Sequence, residues 1–211
     1  ELINQISPYV GGVKLGLEFF TSCGINGIEK VSKCELPLFL DLKFYDIPNT
    51  VKNSLKNILS FNPLYTTLHV SGGADMLNKC VEIKEDLHST TKLIGVTMLT
   101  SFNDKTINEI GLGGSINQNV DNLSKLAFNC GMDGIVCSPL EIKKVKNTYG
   151  SKLKIVVPGI RDNTIKIDDQ KRTLSAKKAI ELGADVIVIG RPITSAESPA
   201  SSAEMFYQSI Q

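Results

Sequence analysis

A short apolar segment of the chain ends in alternating acidic and basic residues, Asp41 and Lys43. Successive side chains of a β-strand point to opposite faces, so these two residues share one face and the neighbouring leucines share the other. If the leucine face packs against helices, the charged pair points inward at the carboxyl end of the strand, where barrel enzymes carry their chemistry. The spacing therefore predicts either a catalytic charge array or an ion-pair network that only shifts pKa values.

A second lysine is expected to join this pair. In residues 13–18, apolar side chains alternate with Lys14, Gly16 and Glu18, which predicts that these three lie on the inner face, with Lys14 beside Asp41. Buried charges are costly unless each has an opposite partner. Two lysines that share one acid at a barrel end favour a functional array over a structural one.

Asp46 lies three residues after Lys43, beyond the predicted strand. Strand alternation no longer fixes the direction of its side chain there. The residues alone leave two interpretations open: a helix-capping carboxylate before Pro48, or a third charged group of the array.

Two glycine-containing loops follow the last two predicted strands. They are Pro158-Gly159-Ile160-Arg161 and Gly190-Arg191-Pro192. Backbone N–H groups at such positions commonly hold a phosphate in barrels, helped here by arginine. The polar run 169–172 between them either closes over a bound anion or is a solvated charged surface.

Short segments rich in Val, Ile and Leu alternate with amphipathic ones, which predicts right-handed βαβ units. Predicted strands are 10–17, 36–44, 65–70, 93–99, 134–137, 153–157 and 186–189, and predicted helices are 48–60, 74–86, 119–129, 141–148 and 175–182. The first apolar residues of the chain, Leu2, Ile3 and Ile6, recur at helical spacing, so the chain is expected to begin with a helix and not a strand. We therefore expect one domain over residues 1–211, an α/β (β/α)8 TIM barrel whose first strand is missing from this sequence. The alternative is an open doubly wound sheet, although no Gly-x-Gly-x-x-Gly follows an early strand.

The composition excludes several classes of protein. Of 211 residues, 42% are hydrophobic and the formal net charge is +1, so no overall field favours nucleic acid or anionic membrane. The apolar segments are too short to span a bilayer. Five scattered cysteines without a Cys-x-x-Cys pair favour a reduced, cytoplasmic protein with no metal site.

The sequence resembles the orotidine 5′-phosphate decarboxylase family of the bacterial type. The resemblance rests on Asp41-Leu42-Lys43-Phe44-x-Asp46-Ile47-Pro48-Asn49-Thr50, supported by Val13-Lys14-Leu15-Gly16-x-Glu18, His69-Val70-x-Gly72-Gly73, Leu99-Thr100-Ser101, Pro158-Gly159-Ile160-Arg161, Asp169-Gln170-Lys171-Arg172 and Gly190-Arg191-Pro192-Ile193. These motifs follow the family's order and span nearly the whole chain. The resemblance implies conversion of orotidine 5′-monophosphate to uridine 5′-monophosphate without a cofactor.

The resemblance also implies a role for each charged residue. Lys43 would protonate C6 of the pyrimidine, Asp41 would lie beside the departing carboxylate, and Lys14 would bridge Asp41 and the ribose. Asp46 would reach the site of a partner subunit in a homodimer. The residues expected around the substrate are Thr50 from the partner, Thr100 and Ser101 at the ring, and Pro158, Arg161, Gln170, Gly190 and Arg191 at the phosphate.

The chain departs from the family pattern at two points. The family's first strand, which carries an aspartate that contacts the ribose, has no counterpart, and we expect that this sequence begins after that strand. Tyr45 stands where many members have His, and we expect little effect because it faces away from the charged pair. Two other functions remain open: a Mg²⁺-dependent sugar-phosphate decarboxylase of the same suprafamily, and a non-catalytic barrel that binds a nucleotide phosphate.

Overall fold

A computed structural model of the chain describes residues 1–161 and 174–211. Its described residues form seven parallel strands in one sheet: β1 (Val13–Gly16), β2 (Leu38–Phe44), β3 (Tyr65–His69), β4 (Lys92–Val96), β5 (Gly134–Val136), β6 (Lys154–Val157) and β7 (Val186–Ile187). The strands lie in the order of the sequence, β1 to β7. A doubly wound sheet reverses its strand order at a switch point. The unbroken order therefore confirms the barrel-type prediction over that alternative.

The sheet is curled, as contacts across its inner face demonstrate. Phe39 of β2, Ile94 of β4 and Val156 of β6 form one buried cluster, although these strands are not neighbours in the sheet. Side chains from alternate strands meet in this way in the layered interior of a barrel. Within the described residues no backbone pairing joins β1 to β7. An apolar cleft of about 400 Å³ lies between these two edges.

Helices cover the outer face of the sheet. The described α-helices are α1 (Leu2–Ile6), α2 (Leu17–Ser32), α3 (Pro48–Leu59), α4 (Gly73–Asp86), α5 (Asp104–Glu109), α6 (Ile116–Asn129), α7 (Ile142–Tyr149), α8 (Ala176–Glu181), α9 (Arg191–Thr194) and α10 (Pro199–Ser209). Among the residues described, none forms a helix with the length and apolar character needed to cross a bilayer.

The leucine face of β2 packs against helices, as its alternation predicts. Leu38, Leu40 and Leu42 are buried in a cluster that includes Ile28 of α2 and Ile58 of α3. Burial of such side chains contributes roughly 1.5–3 kcal/mol each. This packing fixes the orientation of the strand and directs the opposite face of β2 into the barrel.

The prediction for the first strand was wrong at its carboxyl end. Strand β1 ends at Gly16, and Leu17 and Glu18 begin helix α2 as exposed residues, so Glu18 does not belong to the inner face. Apolar and polar residues continue to alternate in the first turn of helix α2. The sequence pattern therefore extended the predicted strand beyond its real end at Gly16. Helix α2 itself was not predicted, since Gly24, at φ 57° and ψ −158°, breaks its periodicity.

Candidate active site

One carboxylate stands at the centre of the charged array. Asp41 Oδ2 accepts a hydrogen bond from Lys14 Nζ at 2.8 Å, and Asp41 Oδ1 accepts one from Lys43 Nζ at 2.8 Å. Strands β1 and β2 bring these residues together, since Gly16 of β1 pairs with Asp41. The side chain of Lys14 therefore extends along the strand to reach the acid. The expected approach of both lysines to Asp41 is observed.

The three side chains of the array differ in how much of their surface is exposed to water. The Asp41 side chain is 10% exposed, whereas those of Lys14 and Lys43 are 32% and 31% exposed. Burial raises the pKa of Asp41, but the charges and hydrogen bonds of Lys14 and Lys43 outweigh it and hold the pKa below its ordinary value. Asp41 is thus an ionised carboxylate at neutral pH. It accepts one hydrogen bond from each of the two lysines.

The backbone of β2 is irregular at the charged pair. Leu40 pairs with Thr66 of β3, but the next registered pair is Phe44 with Leu68, so three residues of β2 face one residue of β3. Lys43 has a φ of 50°, in the left-handed region that non-glycine residues seldom adopt. Such bulges often re-aim side chains next to active sites. Simple strand alternation is therefore only part of the reason that Lys43 meets Asp41.

Thr67 is the residue of β3 that faces this bulge, and sequence reasoning missed it. Its hydroxyl donates to Asp41 Oδ1 at 3.0 Å and accepts the backbone N–H of Lys43 at 2.9 Å. It is fully buried. Alternation within β3 puts Thr67 on the same face as Tyr65, which contacts the interior cluster. That pattern indicates an inward side chain at Thr67 but not its two hydrogen bonds.

The charged array opens into a cavity of about 270 Å³. Its floor is formed by inward apolar side chains of the barrel, Phe39, Val96, Met98, Val136, Val156 and Val188. The loops after β6 and β7 contribute Pro158, Gly159, Arg161, Gly190 and Arg191 to its lining. Arg161 is buried and donates a hydrogen bond to the carbonyl of Ile160 at 2.9 Å. Two arginines thus line the same cavity as the lysine–aspartate array. The arrangement suits a ligand with an anionic group at one end and a flat apolar body.

Of the remaining predicted site residues, Thr100 lines the cavity and the others do not contribute to its described lining. Thr100 lines the cavity, whereas Ser101 is exposed and lies outside the lining formed by the described residues. Gln170 and the run 169–172 lie outside the described residues. Asp46 and Thr50 are exposed at the mouth, and within the described chain no ion pair or hydrogen bond joins Asp46 to Lys43. Asp46 accepts the N–H of Ile47 at 2.6 Å and does not cap helix α3.

His69 lies at the end of β3, close to the array. Burial lowers the pKa of this imidazole, and the positive charge of Lys43 lowers it further, against a smaller opposite effect of Asp41. Its ring packs against Tyr45, with the ring centroids 5.5 Å apart. His69 is therefore neutral at physiological pH and adds no third positive charge.

Comparisons with known proteins give one consistent result. The family model described as Orotidine 5′-phosphate decarboxylase / HUMPS family matches residues 1–206. A protein of Wolbachia pipientis subsp. Culex pipiens named orotidine 5′-phosphate decarboxylase is 47% identical over 207 residues, which are 98% of this chain and 90% of that protein. A protein of the same name from Ehrlichia chaffeensis is 48% identical over 210 residues, covering 99% of this chain and 90% of the relative.

A solved structure supports the same comparison. The crystal structure of orotidine 5′-phosphate decarboxylase from Lactobacillus acidophilus superposes with a TM-score of 0.82 at 35% sequence identity. The match covers 99% of this chain and 93% of that one. The similarity therefore extends over the sheet, the helices and both loops at the cavity.

Replacing Asp41 by Asn is expected to lower the free energy of unfolding at neutral pH by roughly 1–3 kcal/mol. The change leaves two ammonium groups near each other without a counter-charge, and their partial exposure keeps the loss below that of a fully buried pair. Because folding lowers the pKa of Asp41, its contribution is present above the ordinary value of 3.8 and disappears as the pH falls through the folded-state pKa. Urea denaturation across this pH range measures the effect.

The matched control is Asp121→Asn, which removes an exposed ion pair with Lys144. It should cost less than about 1 kcal/mol. The difference between parent and Asp41→Asn should be largest at neutral pH and shrink in acid. A difference that grows as the pH falls would contradict the proposed charge arrangement.

Proposed function

The chain belongs to the orotidine 5′-phosphate decarboxylase family, and we propose that Lys43, held by Asp41, carries out the central step of its reaction. The enzyme converts orotidine 5′-monophosphate to uridine 5′-monophosphate and carbon dioxide in pyrimidine nucleotide synthesis. The observation that carries the mechanism is the Lys14–Asp41–Lys43 array in a cavity that Arg161 and Arg191 also line.

The chemical difficulty is the electron pair left behind on the ring. When the bond between C6 and the carboxylate breaks, carbon dioxide leaves and the pair stays on C6 in the plane of the ring, where the π system cannot delocalise it. A preorganised ammonium stabilises such a charge as it forms. Lys43 then gives its proton to C6, and the neutral amine recovers a proton from solvent.

Asp41 has two functions in this proposal. Its ion pair with Lys43, at 2.8 Å, orients the ammonium and balances its charge. It would also lie beside the substrate carboxylate, so departure of neutral carbon dioxide would relieve the repulsion between two anions. Lys14 neutralises the second oxygen of Asp41 and is available to the ribose hydroxyls.

The loops after β6 and β7 would bind the 5′-phosphate. Arg161 and Arg191 supply positive charge, and the loops that contain Pro158 and Gly190 supply backbone groups. Gln170 and closure of the loop 161–170 over the phosphate remain part of the proposal. Thr100 lies nearer the ring end, and Ser101 would need to turn inward to contact the pyrimidine.

We further propose a homodimer in which each subunit completes the site of the other. Asp46 and Thr50 are exposed at the mouth and do not reach the array of their own chain, so a second subunit is the natural recipient of their side chains. Tyr45 and Ile47, which flank Asp46, are 62% and 68% exposed. Two large apolar side chains on either side of Asp46 add support for an interface at this position. A cytoplasmic location, expected from the cysteine usage, belongs to the same proposal.

Replacing Lys43 by Ala should reduce turnover of orotidine 5′-monophosphate by roughly 10⁴-fold or more, because it removes both the electrostatic stabilisation and the proton donor. The ultraviolet spectrum of the pyrimidine measures the reaction. Binding of uridine 5′-monophosphate and the thermal unfolding curve should be retained. Lys56→Ala, at an exposed position of α3, is the control and should leave turnover unchanged.

The same assay distinguishes the metal-dependent alternative. Turnover by the parent should survive a chelator, whereas a Mg²⁺-dependent sugar-phosphate decarboxylase would lose its activity. Near-normal turnover in Lys43→Ala would contradict the mechanism.

Replacing Arg191 by Ala should raise the KM for orotidine 5′-monophosphate about 10- to 100-fold, which is the effect of one charge-assisted hydrogen bond. The nucleoside orotidine lacks the phosphate and serves as the control substrate. Its much slower decarboxylation should be equal in parent and variant. A similar loss with both substrates would show that Arg191 does not act through the phosphate.

Subunit complementation tests the shared site. Lys43→Ala and Asp46→Ala should each be inactive as homodimers. In a heterodimer of the two, one of the two sites contains both an intact Lys43 and an intact Asp46, so random co-assembly should restore about a quarter of the parent's activity. Absence of any restored activity in isolated heterodimers would contradict the exchange of Asp46.

A further inference from the structure

We infer that Thr67 is a positioning residue for the decarboxylation, an inference that rests on the proposed function of Lys43 and Asp41. Between the registered pairs Leu40–Thr66 and Phe44–Leu68, β2 contains three residues and β3 contains Thr67 alone. The single hydroxyl of Thr67 therefore faces the segment that carries both charged groups.

At the bulge, the hydroxyl of Thr67 takes the place of a backbone carbonyl as the partner of the Lys43 N–H. A regular parallel ladder would supply a carbonyl of β3 for each N–H of β2 that points toward β3, and the shift in register interrupts this pairing at Lys43. Thr67 Oγ1 accepts this N–H at 2.9 Å. The left-handed backbone of Lys43 is itself unfavourable and persists only where its surroundings determine it. The Thr67 hydroxyl is one of those determinants.

The same hydroxyl also orients the carboxylate. It uses its one proton to donate to Asp41 Oδ1 at 3.0 Å, the oxygen that accepts Lys43 Nζ at 2.8 Å. Thr67 thus holds both ends of the Lys43 residue, its backbone directly and its ammonium through Asp41. Thr67 is fully buried and is not part of the described cavity lining, so it acts through these two residues instead of touching substrate.

The adjacent residue provides a matched control. Thr66 is equally buried, and its hydroxyl donates to the carbonyl of Leu40 at 3.0 Å. Thr66 and Thr67 therefore each make a hydrogen bond from β3 to β2, but only the bonds of Thr67 involve the charged pair. Replacement of either residue by Val removes a hydroxyl and keeps the shape of the side chain.

The experiment compares Thr67→Val with Thr66→Val in steady-state turnover of orotidine 5′-monophosphate, with kcat expressed per nucleotide-binding site. Thr67→Val should lower kcat about 10- to 100-fold, because small displacements of a reacting group have effects of this size. Its KM should change less than about threefold, since the lost interaction acts on the chemical step. Thr66→Val should keep kcat within about twofold, and Thr67→Ser, which retains the hydroxyl, should restore it.

Equal kcat values in the two Val variants would overturn the inference, as would a Thr67→Ser variant as slow as Thr67→Val. If Thr67→Val does not fold, Thr67→Ala is measured against Thr66→Ala with the same expectations. Failure of the parent itself to decarboxylate the substrate would instead overturn the proposed function. The two failures are therefore distinguishable.

Discussion

The charged interior of this protein depends on one carboxylate that is shared by two ammonium groups. Asp41 gives one oxygen to Lys14 and the other to Lys43, each at 2.8 Å. Without Asp41 the two ammonium groups would repel each other, and without either lysine Asp41 would be costly to bury. Asp41 and at least one of the lysines are therefore needed together, which explains why neighbouring strands both place charge at the same end of the barrel. The set carries a net positive charge that faces the cavity.

Regular strand geometry is sufficient for most of this arrangement but not for Lys43. The register of β1 and β2 brings Lys14 to Asp41 without distortion, as parallel pairing requires. Lys43 follows Asp41 by two positions and has a left-handed backbone, with a hydroxyl from β3 in the place of a ladder carbonyl. The irregularity coincides with the residue that is proposed to do the chemistry. Strained backbone of this kind persists where the surrounding structure compensates for it.

The strands and the inward charges could be predicted from the sequence because they depend on local periodicity. Leucines that alternate with Asp41 and Lys43 indicate one strand with two different faces, and this pattern holds in the structure. Helix α2 was missed because Gly24 interrupts it. The bulge and the role of Thr67 could not be predicted, because they depend on pairing between strands that are distant in sequence. The direction of the Asp46 side chain was open for a different reason. Asp46 lies past the end of the strand, where alternation no longer fixes the side-chain direction.

The exposure of the array indicates how binding and chemistry are connected. Asp41 is largely withdrawn from water, whereas both lysines retain about a third of their exposure. Water around ammonium groups weakens their attraction for a nearby negative charge, so the array gains strength when a ligand fills the cavity and displaces that water. In the proposed reaction, the free energy for this displacement would come from contacts of the phosphate with the loops that contain Arg161 and Arg191, which line the same cavity. The proposed function therefore predicts that an anionic group remote from the reacting carbon strengthens the array as it binds.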